Sequence, residues 1–144
     1  MPYKGQSSIE LTMVIGMALV ISSPFMLASQ SSVIQLKQAS DYLQVDNTLD
    51  NIEESAIALD KRSYPARRIV RFQSPRAVEN VYNPQFGNSS ALIVEVSRAS
   101  SRSNQSILFD FNFHLENPER IAGEGNYRIS LKKHPESVNA SVVS

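Results

Sequence analysis

The sequence predicts an α+β protein in which a long, partly transmembrane N-terminal α-helix precedes a small antiparallel β-sheet or sandwich. The first observation is a stretch from Leu11 to Leu36 that contains no charged residue. The second is a heptad-like apolar stripe that continues the helical period almost to Arg62. The third is a change after Pro65, where apolar and polar residues alternate with the period of two that is typical of strands.

Composition and charge narrow the classes of function. The 144-residue chain carries 14 acidic and 14 basic residues, so its net charge favours neither nucleic acid nor an anionic membrane surface as a partner. It has no cysteine, which excludes thiol catalysis and cysteine-ligated zinc. His114 and His134 lack the neighbours of a nucleophile or metal motif, and we predict that both are surface residues. We therefore expect no enzymatic activity, cofactor or metal site.

The segment Leu11–Ala28 has the length of a membrane span. As a helix, its roughly 18 residues would extend about 27 Å, close to the ~30 Å of bilayer hydrocarbon. Its small residues suit packing between helices, and Pro24 removes one backbone donor, so we expect a loosened or kinked turn before it. Lys4 favours a cytoplasmic N-terminus, with the remainder of the chain outside.

Three interpretations account for this segment. A secretory signal peptide would be cleaved after Ser22, but it would carry the acid Glu10 in its n-region. A plain single-pass anchor would give Glu10 no particular role. The third interpretation starts from Lys4–Glu10, Lys-Gly-Gln-Ser-Ser-Ile-Glu, which leads directly into the apolar run. This motif resembles the class III signal peptide of archaeal type IV pilin-like proteins, with its Gln-x-Ser-x-Glu pattern.

The resemblance implies a processed protein that assembles into a surface filament. A membrane peptidase related to prepilin peptidases would cut between Gly5 and Gln6 and leave the apolar helix on the mature chain. The implied partners are the membrane, other pilin subunits, this peptidase and the pilus assembly machinery. The implied segments are a cleaved leader at 1–5, a helix at 6–62 with 11–28 in the membrane or filament core, and an extracellular β-rich head at 68–144.

A role for Glu10 follows from the same resemblance. After cleavage Glu10 becomes the fifth residue of the mature chain, the position at which type IV pilins carry an acid. A carboxylate in a filament core of low dielectric is costly unless it is paired, and the new α-amino group of a neighbouring subunit's Gln6 would be its partner. The pair would set the register between subunits. An N-terminal Gln6 can also cyclise to a neutral lactam, which would offer a hydrogen-bond donor instead of a cation.

The helical pattern continues beyond the membrane segment. Apolar residues recur in steps of three and four, and Pro65 should end the helix soon after the cations Lys61 and Arg62. The stripe would pack on the head, on neighbouring helices, or on both. It comprises Tyr42, Val45, Leu49, Ile52, Ala56 and Leu59.

Two charged groups flank the end of this helix. Asp46, Asp50 and Glu54 form an acidic row, which we interpret first as a solvated helix face and second as a contact for the basic cluster of another subunit. A single straight row of carboxylates cannot surround a metal ion. The basic cluster lacks interleaved exposed aromatic residues, so we expect no nucleic-acid binding. It comprises Arg67, Arg68, Arg71 and Arg76.

The head is expected to contain five or six short strands, and the helix is expected to complete its core. Ile107–Leu115 has the clearest alternation and is predicted as a single strand. A turn is predicted in the Ser-rich stretch 99–106. The other predicted strands are Ile69–Phe72, Ala77–Tyr82, Leu92–Val96, Tyr127–Leu131 and Val138–Val143.

Three Asn-x-Ser sequons lie in the head. Asn88, Asn104 and Asn139 are predicted on loops or near the terminus, where N-glycosylation would be possible on an extracellular domain. The leading functional hypothesis is a filament subunit with a structural role. The alternative is a membrane-anchored extracellular binding module that does not polymerise.

Overall fold

The computed structural model describes residues 3–97 and 101–143, and it confirms an α+β fold with a long N-terminal helix and a β-rich C-terminal part. The chain divides into two compact units, Met1–Lys37 and Gln38–Ser144. Helix α1, Tyr3–Asp60, contributes to both units, and a short 3-10 helix covers Pro118–Ile121. The strands are β1 Arg67–Ser74, β2 Val78–Tyr82, β3 Gln85–Phe86, β4 Ser89–Ser97, β5 Arg102–Phe109, β6 Asn112–Glu116, β7 Gly125–Lys133 and β8 Ser137–Val143.

Helix α1 continues through Pro24, where we expected a looser turn. A proline cannot donate a backbone hydrogen bond, so the carbonyl of Val20, four residues earlier, loses its usual donor. The hydroxyl of Ser23 donates to this carbonyl oxygen at 3.0 Å. The polar residue before the proline thus satisfies the freed acceptor, and the helix continues.

The second half of α1 packs on the strands as its apolar stripe predicts. Val45, Leu49, Ile52, Ala56 and Leu59 are all buried. They belong to one hydrophobic core together with residues of both sheets, so the helix completes the core of the small C-terminal unit. The helix ends at Asp60, two residues before the predicted Arg62, where Asp60 pairs with Lys133 of β7.

The eight strands form two sheets that share this core. In the first sheet the order is β1-β7-β8-β6, and every pair is antiparallel except β6 with β8, which is parallel. In the second sheet β5 pairs along one edge of β4, while β2 and β3 pair with successive parts of β4 on its other edge. The predicted antiparallel sheet or sandwich is therefore mixed, with one parallel pair, β6 and β8.

The predicted strand Ile107–Leu115 is two strands that belong to different sheets. Strand β5 ends at Phe109, and β6 begins at Asn112 after a bend at Asp110 and Phe111. Apolar residues keep alternating although the chain passes from one sheet to the other, because Phe109 and Phe113 both face the shared core. Their rings stack there with centroids 4.5 Å apart. The expected turn at 99–106 was also wrong beyond Ser101, because β5 already begins at Arg102, and residues 99 and 100 lie outside the described residues.

Polar side chains of the second sheet cover the outer edge of β6. The Ser90 hydroxyl accepts a hydrogen bond from the Phe113 N–H at 2.9 Å, and the Asn83 side-chain oxygen accepts one from the Leu115 N–H at 2.7 Å. The Gln85 amide donates to the Phe113 carbonyl at 2.8 Å. These bonds satisfy backbone groups that an edge strand would otherwise leave unpaired, and they join the two sheets.

Substitution of two glutamines by methionine should change stability in opposite directions. Gln105 is buried on β5, and its side-chain oxygen has no hydrogen-bond partner, so Gln105→Met should raise the free energy of unfolding by about 1 kcal/mol. Gln85→Met removes the donor to Phe113 and should lower it by a similar amount, about 1 kcal/mol. Urea unfolding of the full chain in detergent measures both changes. A destabilised Gln105→Met protein would show that this amide oxygen carries no desolvation cost.

Candidate functional site: the uncovered N-terminal helix

The first half of α1 presents a continuous apolar surface that no described part of the chain covers. Every residue from Ser8 to Lys37 is exposed, whereas the core-facing residues of the helix are buried from Val45 onward. Among the described residues, one helix is apolar enough and long enough to cross a membrane. The large exposed side chains are Ile9, Leu11, Met13, Val14, Ile15, Met17, Leu19, Val20, Ile21, Phe25, Met26, Leu27, Val33, Ile34 and Leu36.

Six hydroxyl groups of this segment are satisfied within the helix itself. Each donates to a backbone carbonyl three or four residues earlier, with donor–acceptor distances between 2.7 and 3.0 Å. Such bonds give each hydroxyl a partner without water or another side chain. In hydrocarbon, where no water is available, every polar group must find its hydrogen-bond partner within the protein. The donors are Thr12, Ser22, Ser23, Ser29, Ser31 and Ser32.

Glu10 is exposed on this surface and is the one charged residue between Ser8 and Leu36. The backbone of Gly5 and Gln6 lies in the first turns of the same helix, which begins at Tyr3 in the uncleaved chain. Gln6 precedes Glu10 by four residues, so their Cα atoms are about one helical turn apart. Met1 and Pro2, the other end of the expected leader, lie outside the described residues.

Gly16 is a second distinctive residue of the uncovered surface. A Cβ atom built there would meet nothing within 4 Å, so no contact with the described residues requires a glycine at this position. A glycine inside a helix costs about 1 kcal/mol relative to alanine. Its absent side chain would allow the close approach of another helix, as small residues do in membrane helix pairs.

In the C-terminal unit the structure extends the predicted basic cluster. Arg67, Arg68 and Arg71 are exposed on β1, and Arg76 is exposed in the turn that follows. Strand β7 pairs with β1 so that Lys132 lies opposite Arg67, and Arg128 lies opposite Arg71. Sequence analysis did not connect these two cations with the cluster, because the pairing of strands more than 50 residues apart is not encoded in a local pattern.

The acidic row lies on the exposed side of α1. Asp46, Asp50 and Glu54 are exposed, whereas the core-facing stripe on the other side of the helix is buried. Carboxylates four residues apart on a helix repel one another. The row is therefore solvated in the isolated chain, which agrees with the first of its two interpretations.

The three sequon asparagines occupy different environments. Asn88 is exposed in the turn between β3 and β4, as predicted. Asn104 is exposed but lies within β5 opposite Glu95, so its predicted loop position was wrong. Asn139 is half-buried in β8, and its side-chain oxygen accepts a hydrogen bond from the Ser137 hydroxyl at 3.2 Å. Asn88 is thus the one of the three acceptors that is both exposed and in a turn.

The histidines do not lie together. His114 is exposed on β6, and His134 follows β7 with its ring 6.3 Å from that of Tyr64. Among residues 3–97 and 101–143, no three acidic or histidine side chains converge in a group that could hold a metal ion. An open groove beside His134 is lined by Tyr64, Pro65, Ala66, Arg67, Lys132 and Lys133.

Comparison with known proteins gave no match to a family model, a curated protein or a solved structure.

Proposed function

We propose that the protein is a type IV pilin-like subunit that assembles into a surface filament through its N-terminal helix. The observation that carries the proposal is an exposed apolar helix surface with a single acid, Glu10, near its beginning. This acid lies in the Gln-x-Ser-x-Glu context of residues 6–10, directly before the charge-free run. A membrane anchor alone requires an apolar helix, but it does not require an acid in this context.

The division of α1 supports the same proposal. Its first half has no partner among the described residues, whereas its second half contributes a buried stripe to the core of the C-terminal unit. An apolar surface of this size on a folded chain marks a membrane or protein interaction site. Lipid would cover it in the membrane, and the equivalent helices of neighbouring subunits would replace lipid in a filament.

In this mechanism, cleavage between Gly5 and Gln6 creates the α-amino group that pairs with Glu10 of a neighbouring subunit. Pairing offsets the cost of placing a carboxylate in an apolar core, and misaligned subunits would leave both charges unpaired. The role is structural and involves no catalysis. The C-terminal unit would form the extracellular head, with Asn88 as an accessible position for a glycan.

A membrane-anchored binding module is the second candidate. The observation that favours it is the open groove at Tyr64 and His134, which combines aromatic rings with the cations Arg67 and Lys132, while the third cation of its lining, Lys133, is paired with Asp60. Such a surface suits an anionic ligand. In this case the helix would serve as a tether, and Glu10 would have no role in assembly.

The intact mass and N-terminal residue of the protein from its native membrane distinguish these functions. We expect a chain that begins at Gln6, either free or cyclised, because removal of residues 1–5 is the processing that a prepilin-type peptidase performs. A chain that begins at Met1 or Pro2 would identify a simple anchor, and one that begins at Ser23 would identify a secreted domain. Either result would contradict the filament proposal.

A further inference from the structure

The outer face of the first sheet concentrates positive charge. Arg67 and Arg71 of β1 lie opposite Lys132 and Arg128 of β7, so two pairs of like charges face each other across neighbouring strands. Side chains in such pairs have Cβ atoms about 5 Å apart, and the Arg67 guanidinium also donates to the Ser130 hydroxyl at 2.8 Å. Glu116 is the one acid on this face among the described residues of the sheet. We call these four cations the basic face.

The exposed side of α1 concentrates negative charge. Asp46, Asp50 and Glu54 recur at every fourth residue, a spacing at which like charges repel. We call these three carboxylates the acidic row. The buried stripe of α1 and the inner face of the first sheet contribute to one core, so both charged surfaces face away from it. Neither surface can therefore neutralise the other within one chain.

The two surfaces have matching lengths. The acidic row extends over eight residues of helix, or about 12 Å at ~1.5 Å per residue. The two like-charged pairs of the basic face are separated by four residues of strand, or about 13 Å at ~3.3 Å per residue. With the helix parallel to the strands, the two outer carboxylates of the row, Asp46 and Glu54, can each lie near one pair of cations. The middle one, Asp50, then lies between the two pairs.

We propose that the basic face of one subunit binds the acidic row of a second copy of this chain. The proposal rests on the filament function proposed above and names the contact that its heads would make. The interface joins two different surfaces, so every subunit has one of each to offer, and such head-to-tail contacts form either a closed ring or the open filament that the proposed function requires. The equal totals of 14 acidic and 14 basic residues agree with a partner supplied by the chain itself.

Nucleic acid is the competing occupant of the basic face. A polyanion would contact the same four cations. Ile69 and Ser130 lie between the two cation pairs. The aromatic rings that line grooves beside the cations lie at the two ends of the face, Tyr64 and His134 at one end and Phe72 and Tyr127 at the other. Bases that stack on aromatic side chains therefore find no ring in the centre of this described face.

Cross-linking of the full-length chain in its membrane or filament tests the contact. The chain has no cysteine, so Asn47→Cys beside the acidic row and Ile69→Cys within the basic face add the only two thiols and keep every charge. A short bismaleimide should then produce a ladder of covalent oligomers. The matched control is Asn47→Cys with Leu108→Cys, an exposed position on β5, and it should give no ladder.

Charge reversal provides the second arm. Arg71→Glu with Arg128→Glu, or Asp50→Lys with Glu54→Lys, should each reduce the cross-linking yield by about tenfold, and the four changes together should restore it. The outcomes separate the contact from the filament function. If the subunits begin at Gln6 and form filaments, but the Asn47→Cys, Ile69→Cys protein gives no ladder, the contact is overturned and the filament function is not. A chain that neither begins at Gln6 nor forms filaments would refute the filament function itself. A third outcome would assign the basic face to nucleic acid. The cysteine protein would give no ladder, and the unmodified chain would bind a fluorescent DNA duplex that the Arg71→Glu, Arg128→Glu protein does not bind.

Discussion

Replacement of Glu10 by alanine is expected to abolish filament formation and to leave the chain inserted in the membrane. The substitution removes the only charge between Ser8 and Leu36, so insertion should become easier. In the filament it would leave the α-amino group of Gln6 unpaired in an apolar core, which costs about 3–5 kcal/mol for a buried pair. A cost of this size raises the critical concentration for assembly by roughly two to four orders of magnitude.

Electron microscopy of surface filaments and the membrane fraction of the chain measure the two effects separately. The matched control is Glu124→Ala, which removes an exposed acid from the turn before β7 and should leave filaments intact. Filaments of normal number in the Glu10→Ala strain would refute the pairing. A tethered binding module would show no change in either measurement.

Glu10→Gln separates the two chemical states of Gln6. A free α-amino group is a cation that a neutral amide at position 10 could not compensate, so filaments should be lost as in the alanine variant. A cyclised Gln6 offers a neutral N–H donor, and the side-chain amide oxygen of the Glu10→Gln variant would still accept its hydrogen bond, so filaments should then be retained. Intact mass resolves the two states independently, because cyclisation releases one ammonia. The two measurements must therefore agree: a free Gln6 with loss of filaments in the Glu10→Gln variant, or a cyclised Gln6 with their retention. Any other combination would contradict the pairing.

Local periodicity explains why the helix could be predicted and parts of the sheet could not. The stripe from Val45 to Leu59 was predicted correctly because residues three and four apart on one helix share a face whatever lies opposite. Strand β7 was found for the equivalent reason, since Ile129 and Leu131 face the core through a strict alternation. These patterns depend only on neighbours in the sequence.

Strand partners depend on residues far apart in the chain. The parallel pairing of β6 with β8 and the division at Asp110 have no local signal, because Phe109 and Phe113 alternate as they would in one strand. The basic face required the pairing of β1 with β7 before Arg128 could be placed beside Arg71. The role of Ser23 beside Pro24 was missed for another reason, since a side-chain bond to the helix backbone is optional and depends on the rotamer.

The aromatic core provides the largest expected effect on folding. Phe109 is 1% exposed, and its ring lies 4.5 Å from that of Phe113 and 5.3 Å from that of Phe111. These three side chains lie where the chain crosses from one sheet to the other, so they hold both sheets in one core. Phe109→Ala removes an entire buried phenyl ring and should cost about 3–5 kcal/mol. That is a large part of the roughly 5–15 kcal/mol that stabilises a typical domain.

The neighbouring residue provides the control for this prediction. Leu108 is 72% exposed on the opposite face of β5, so Leu108→Ala should change the free energy of unfolding by less than about 0.5 kcal/mol. Urea unfolding of the full chain in detergent measures the free energy of unfolding of both variants. Limited proteolysis of the same full chain measures how readily each is cleaved within residues 38–144. The uncovered half of α1 makes no contribution to this core, so Phe109→Ala should still insert into the membrane. Equal unfolding midpoints for the two variants would mean that the aromatic cluster does not hold the sheets together.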